Sequence, residues 1–119
     1  MSLDKPVLHV CTTCRHGDDR DAGAALAARL GEAAAAGDFH LNPIQCLAVC
    51  ERGCAAAIAM PGKWSYTMGG LTPDLAGDLA DYARAYAASS QGMVLRAARP
   101  ASLHQTIVAR LPPLPDPQS

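Results

Sequence analysis

The chain has 119 residues and a formal net charge of −1, and half of its residues are apolar. This length predicts a single domain, and the scattered basic residues do not provide the positive patch of a nucleic-acid-binding protein. No apolar run reaches the roughly 20 residues of a membrane helix and the N-terminus is polar, so we expect a cytoplasmic protein that binds neither nucleic acid nor membrane.

The first half of the chain predicts a βαβ unit. Residues 6–10 are typical of a short buried strand, in which we expect His9 to have a hydrogen-bond partner. Residues 20–36 carry apolar side chains at helical spacing, and Gly37 ends this pattern. Residues 39–44 alternate like a second strand. Two parallel strands joined by a right-handed crossover are therefore expected.

The following residues predict a hairpin and a second helix. Residues 55–60 and 64–68 are strand-like runs on either side of the turn signal Pro61-Gly62-Lys63. Thr72-Pro73-Asp74 is typical of a helix start. The apolar face of that helix should pack on the sheet through Leu75, Leu79, Tyr82 and Tyr86.

The C-terminal residues 91–119 predict an extension of the domain formed by residues 1–90. Apolar residues recur every four positions between 101 and 111, which favours a short helix with Leu103, Ile107 and Leu111 on one side. The proline-rich residues 112–119 are typical of a loose tail. The extension and its tail are expected to belong to the same domain.

All five cysteines lie in two clusters. Cys11 and Cys14 follow the first predicted strand, and Cys46, Cys50 and Cys54 follow the second. In a reducing compartment such cysteines favour metal or redox chemistry over structural disulfides. The order β-α-β-β-β-α predicts an α/β fold with a thioredoxin-like sheet. The carboxyl ends of its parallel strands meet at one edge, where we expect both clusters to come together.

The pattern resembles the thioredoxin-like 2Fe–2S ferredoxins over roughly residues 6–87. The matching stretches are Cys46-Leu-Ala-Val-Cys50, the hairpin around Pro61-Gly62-Lys63-Trp64, and Leu71-Thr-Pro-Asp74. The chain is still more similar to a family of small bacterial proteins described only as predicted metal-binding. That family carries C-T-T-C, C-L-x-x-C-x-x-x-C, P-G-K-W and R-x-P-P-L-P, which are all present here.

The resemblance implies a 2Fe–2S cluster and an electron-transfer or redox function, with a redox partner protein that it does not identify. It implies a homodimer and the cluster ligands Cys11, Cys14, Cys46 and Cys50. Cys54 is an additional residue relative to the ferredoxins, and we interpret it either as a small buried apolar side chain or as an alternative ligand. The first two cysteines are also much closer together than is usual in those ferredoxins.

Other functions fit the same residues. Four thiolates bind zinc or another divalent metal well, as in a metallochaperone or sensor, and His16 could replace one of them. A dithiol oxidoreductase is a weaker hypothesis because three cysteines would have no role. A further alternative is a protein-interaction module with a purely structural ion. We do not expect an enzyme, since no nucleophile triad or phosphate-binding glycine motif is present. Three basic residues are expected near the cysteines, where they would offset the charge of a cluster: Arg15, Arg52 and Lys63.

Overall fold

The structure is a computed structural model that describes residues 5–12, 22–35, 37, 39–44, 54–92, 94, 103 and 106–113. These residues form a mixed α/β fold, which confirms the class predicted from the sequence. No helix among them is long and apolar enough to cross a membrane. In chain order the elements are β1 (Val7–Cys11), α1 (Ala22–Ala34), β2 (His40–Ile44), β3 (Cys54–Ala59), β4 (Ser65–Leu71), a 3-10 turn (Pro73–Leu75), α2 (Ala76–Ala88) and β5 (Ile107–Leu111).

The five described strands form one sheet in the order β2-β1-β3-β4-β5. β1 and β2 are parallel and are separated in the chain by α1, which confirms the predicted βαβ unit. The other neighbouring strands are antiparallel, and β3 with β4 forms the predicted hairpin. Because β1 lies between β2 and β3, its carboxyl end is flanked by the end of β2 and by the beginning of β3.

Both helices and the apolar core lie on one face of the sheet. α1 contacts α2 as well as β1 and β2. In the register of the strands, Leu8 lies opposite Ile58, and Ile58 lies opposite Tyr66, so these side chains share the face that the helices cover. The largest side chains of this core are fully buried and include Leu8, Leu26, Leu30, Ile58, Met68, Leu79, Tyr82 and Tyr86. The predicted apolar face of the second helix is therefore confirmed.

The second face of the sheet carries small and polar side chains that are mostly half-buried. His9, Ala57 and Thr67 form one row across three strands of this face. The side-chain amide of Asn42 donates a hydrogen bond to His9 Nδ1 over 2.9 Å, as expected for a strand histidine. The next row towards the hairpin turn consists of Val7, Ala59, Ser65 and Leu111.

The turn between β3 and β4 is tied to the carboxyl end of α2. The backbone N–H of Lys63 donates to the carbonyl of Met60 over 3.1 Å and closes the turn. Its ammonium donates to the carbonyl oxygens of Tyr86 and Ala87 over 3.3 and 2.9 Å. The hydroxyl of Tyr86 in turn donates to the carbonyl of Trp64 over 2.5 Å. Lys63 therefore caps the carboxyl end of α2, where the Tyr86 carbonyl also accepts from the backbone N–H of Ser89 over 3.2 Å.

Gly92 completes this contact, which we call the hairpin clasp and define by Lys63, Trp64, Tyr86 and Gly92. The backbone of Gly92 has a φ of +78° and packs so closely on the other three residues that an added Cβ would lie 2.7 Å from a ring carbon of Tyr86. The Tyr86 ring is fully buried and lies edge-on to Tyr66, with 6.5 Å between the ring centroids. Burial raises the pKa of Tyr86 to about 12, and the neighbouring Tyr66 adds to this shift.

The predicted helix over residues 101–111 is wrong over Ile107–Leu111, which form a strand. It pairs with β4, with Ile107 opposite Met68 and Ala109 opposite Thr67. Between these two pairs β5 contains one extra residue, Val108, which therefore forms a β-bulge. The residues Ile107 and Val108 are β-branched and favour a strand as soon as a partner strand is present.

Candidate metal centre

The candidate centre begins at the carboxyl end of β1. Cys11 is the last residue of this strand and is fully buried, with 0% of its surface exposed. Successive side chains of a strand alternate between the two faces, so Val10 faces the helices and Cys11 lies on the second face, beyond His9. The position of Cys11 is therefore determined by a central strand of the sheet.

Thr12 connects this strand end to the end of β2. Its backbone N–H donates to the carbonyl oxygen of Ile44 over 2.8 Å, and its side-chain hydroxyl donates to the same oxygen over 3.0 Å. Thr12 directly precedes the segment that contains Cys14, and Ile44 directly precedes residues 45–53, which contain Cys46 and Cys50. The described strand ends from which the two cysteine-bearing segments continue therefore lie next to each other at one edge of the sheet.

Cys54 lies at the same end of the sheet, on the other side of β1. It is the first residue of β3 and is also fully buried. Val10 lies opposite Ala56, and Cys54 is two residues before Ala56, so Cys54 faces the helix-covered side. Cys11 and Cys54 thus share one end of the sheet but lie on opposite faces. Both residues belong to the buried apolar cluster, so burial does not distinguish the two interpretations of Cys54, which stay predictions.

The remaining predicted ligands lie outside the described residues, so the ligand set stays a prediction. Within the described part of the chain, no group of three or more His, Cys, Asp or Glu side chains is close enough to hold a metal ion. That part contains only two of the five cysteines. The predicted site residues that it does not contain are Cys14, Arg15, His16, Cys46, Cys50 and Arg52.

Lys63 does not lie near Cys11 or Cys54, the two cysteines that the structure describes, and for these two the expectation was wrong. β3 runs from Cys54 to Ala59, and Lys63 follows in the turn at the far end of the hairpin. Its ammonium is bonded to the carbonyls of Tyr86 and Ala87. The charge of Lys63 therefore acts on the carboxyl end of α2, where a cation is favourable.

The amino end of α1 supplies a different source of positive potential. The N–H of His40 donates to the carbonyl of Pro6 over 2.9 Å, so β2 begins beside the start of β1. α1 ends at Ala34, just before this point, and therefore runs back along the sheet from the cysteine end. The amino end of a helix carries a partial positive charge, which stabilises thiolates and other anions nearby.

The double hydrogen bond of Thr12 was not anticipated from the sequence. The sequence alone does not show which group a threonine beside a cysteine will bond, because this depends on which carbonyl of β2 lies opposite it. The hairpin clasp was also not anticipated, although its residues Pro61-Gly62-Lys63-Trp64 form one of the recognised motifs. This motif has a structural role at the end of the sheet away from the cysteines.

A family model described as "Protein of unknown function (DUF1636)" matches residues 8–113. The match begins in β1, ends beyond β5, and includes all five cysteines. No curated protein matches the chain. No solved structure matches it either.

Proposed function

The chain belongs to this DUF1636 family, and we propose that it binds a 2Fe–2S cluster and acts as an electron-transfer or other redox protein, without catalysis on a substrate. One observation carries this proposal. The double hydrogen bond from Thr12 to Ile44 holds the ends of β1 and β2 together, and the two cysteine-bearing segments continue from these ends. A cluster needs four ligands, usually thiolates, and only residues from both segments can supply four.

The donor set fits such a cluster in number and chemistry. We propose Cys11, Cys14, Cys46 and Cys50 as the ligands, which is the set that the resemblance to the ferredoxins implies, with Cys54 as the additional cysteine on the other face of the sheet from Cys11. Segment 45–53 begins after β2 and ends at β3, so its two ends lie on either side of the end of β1. When bound, the cluster would supply a reversible one-electron step.

A zinc or other divalent-metal site is the second candidate, as in a metallochaperone or sensor. Its support is the two-residue spacing between Cys11 and Cys14, which is the usual spacing of paired thiolates on one zinc ion. The same cysteines would hold the ion. This alternative excludes a one-electron step, since zinc has no redox chemistry in proteins.

Absorption and metal analysis of anaerobically purified protein test the two candidates. The 2Fe–2S proposal predicts brown protein with bands between roughly 320 and 600 nm and a reversible one-electron step. Colourless protein with about one zinc per chain would overturn it in favour of the second candidate. Protein with neither metal, even after reconstitution with iron and sulfide or with zinc, would refute both.

Substitutions of single cysteines test the ligand set. Cys14→Ser and Cys46→Ser should each remove most of the bound metal and lower the melting temperature, because binding energy is folding energy at such sites. The matched control is Cys54→Ala, which removes a buried thiol at the same end of the sheet and should keep the metal. If Cys54→Ala empties the site while Cys14→Ser does not, the proposed ligand set is wrong.

We also propose that the chain forms a homodimer and that a separate redox protein is its partner. The large apolar side chains exposed within the described residues are Val108 and Leu111, with 38% and 63% of their surface exposed, and both belong to β5. Both residues lie in the C-terminal extension of the domain. Light scattering should give twice the monomer mass, and a Leu111→Asp variant should shift it towards the monomer. The monomer mass for the unmodified chain at micromolar concentration would refute the dimer.

A further inference from the structure

We propose that Thr12 is a positioning residue of the metal centre, and that its hydroxyl sets how the two cysteine-bearing segments leave the sheet. The inference rests on the proposed function, because it assigns Thr12 a role towards the group that the cysteines bind. Thr12 lies between Cys11 and Cys14, and its acceptor Ile44 lies two residues before Cys46. The contact therefore joins the chain next to two proposed ligands from different clusters.

The hydroxyl is the part of this contact that depends on residue type. The 2.8 Å bond from the backbone N–H of Thr12 to Ile44 continues the parallel ladder of β1 and β2, and any residue except proline could make it. The 3.0 Å bond from the hydroxyl is added to the same oxygen. A carbonyl oxygen has two lone pairs, and both are used here by one residue. The end of β2 is thereby held by the side chain of Thr12 as well as by its main chain.

A half-buried position gives this bond an effect that an exposed one would lack. Thr12 is neither fully exposed nor fully buried, so its hydroxyl competes with water for the Ile44 oxygen less than an exposed hydroxyl would. Ligand groups must be held within a narrow range of geometry, and the groups that orient them raise metal affinity without touching the metal. Without the hydroxyl, the ends of β1 and β2 would be held together less firmly, and the metal would be lost more easily.

The test compares three variants with the unmodified protein. Thr12→Val removes the hydroxyl and keeps the shape, whereas Thr12→Ser keeps the hydroxyl. The matched control is Thr106→Val, since the hydroxyl of Thr106 makes a similar half-buried bond to the carbonyl of Leu103 over 3.1 Å, beside β5 and away from β1. Each protein is reconstituted with iron and sulfide, and separately with zinc. The absorption spectrum, the rate of metal loss to a chelator, and the melting temperature of the metal-free protein are then measured.

We expect Thr12→Val to lose metal about two- to tenfold faster than the unmodified protein, which is the factor that one net hydrogen bond supplies. Thr12→Ser and Thr106→Val should keep the original rate and spectrum. Equal rates for Thr12→Val and the unmodified protein would overturn the inference, as would a Thr106→Val or Thr12→Ser variant that loses metal as fast as Thr12→Val. If the unmodified protein takes up neither metal, the proposed function itself fails.

Discussion

Replacing Gly92 with alanine should destabilise the protein by about 2–4 kcal/mol, because two costs add at this position. Its φ of +78° is unfavourable for a residue with a Cβ, by about 1 kcal/mol after allowance for the stiffer unfolded chain. The new Cβ would also lie 2.7 Å from the Tyr86 ring, 3.0 Å from Lys63 Cβ and 3.1 Å from the carbonyl oxygen of Trp64. Overpacking of this kind costs about 1–3 kcal/mol.

The neighbours of Gly92 cannot move aside easily. The Tyr86 ring is fully buried, and its hydroxyl is bonded to the carbonyl of Trp64 that the new Cβ would meet. Gly62 provides the control, since it has the same φ of +78° but nothing within 4 Å of an added Cβ. Gly62→Ala therefore carries the backbone cost alone.

Thermal unfolding followed by far-ultraviolet circular dichroism measures the difference. All proteins must be compared in one metal state, because a bound metal raises the melting temperature. At about 4 °C per kcal/mol, Gly62→Ala should lower the melting temperature by about 4 °C and Gly92→Ala by about 8–16 °C. Equal shifts for the two variants would refute the steric argument and with it the packing of the hairpin clasp.

Three further predictions concern the same end of the molecule. Since the pKa of Tyr86 is raised from 10.0 to about 12, the folded state holds the phenol proton more tightly than the unfolded state. This contribution is complete below pH 10 and is lost as the pH rises to 12, so stability should fall by up to about 2 kcal/mol across this range. Tyr86→Phe should be less stable at neutral pH but lack this loss, and an equal loss in that variant would assign it to another group. Lys63→Met should cost about 1–2 kcal/mol in urea unfolding, because it removes two hydrogen bonds and a cation from the carboxyl end of α2; an unchanged midpoint would show that this contact contributes nothing. The guanidinium of Arg110 lies 4.9 Å from the ring centre of Trp64, the single tryptophan of the chain. Arg110→Gln should therefore change the tryptophan emission while costing only about 0.5–1 kcal/mol, and an unaltered emission spectrum would contradict the stacking.

The elements up to residue 88 could be predicted because their signals are local. Alternation identifies β1, the proline and acid after Thr72 mark the start of the second helical region, and Pro61-Gly62 marks the hairpin. β5 could not be predicted in this way. Its pairing partner Met68 lies about forty residues earlier in the chain, and the four-residue spacing of its apolar side chains suits a helix equally well.

The part of the candidate site that could be predicted is the part that follows from sheet topology. The placement of Cys11 beside the end of β2 follows from two parallel strands, and the structure shows this neighbourhood. The separation of Lys63 from Cys11 and Cys54 does not follow from the sequence, because β3 carries the chain to the other end of the sheet within a few residues. The contact of Thr12 with Ile44 depends on strand register, which the sequence pattern does not specify to one residue. The ligand roles of Cys11, Cys14, Cys46 and Cys50 remain predictions.

The two edge strands of the described sheet limit how copies of this protein can associate. His40 and Ile44 direct their backbone groups to β1, so Pro43, which has no N–H, presents the outer edge of β2 to solvent. At the other edge, the bulge at Val108 and the prolines after Leu111 interrupt the hydrogen-bonding row of β5. Neither edge is a good template for another strand, which protects the chain from open-ended aggregation. The proposed dimer would then form through a face of the sheet and not through an edge, and the exposed Leu111 lies in the row of the second face.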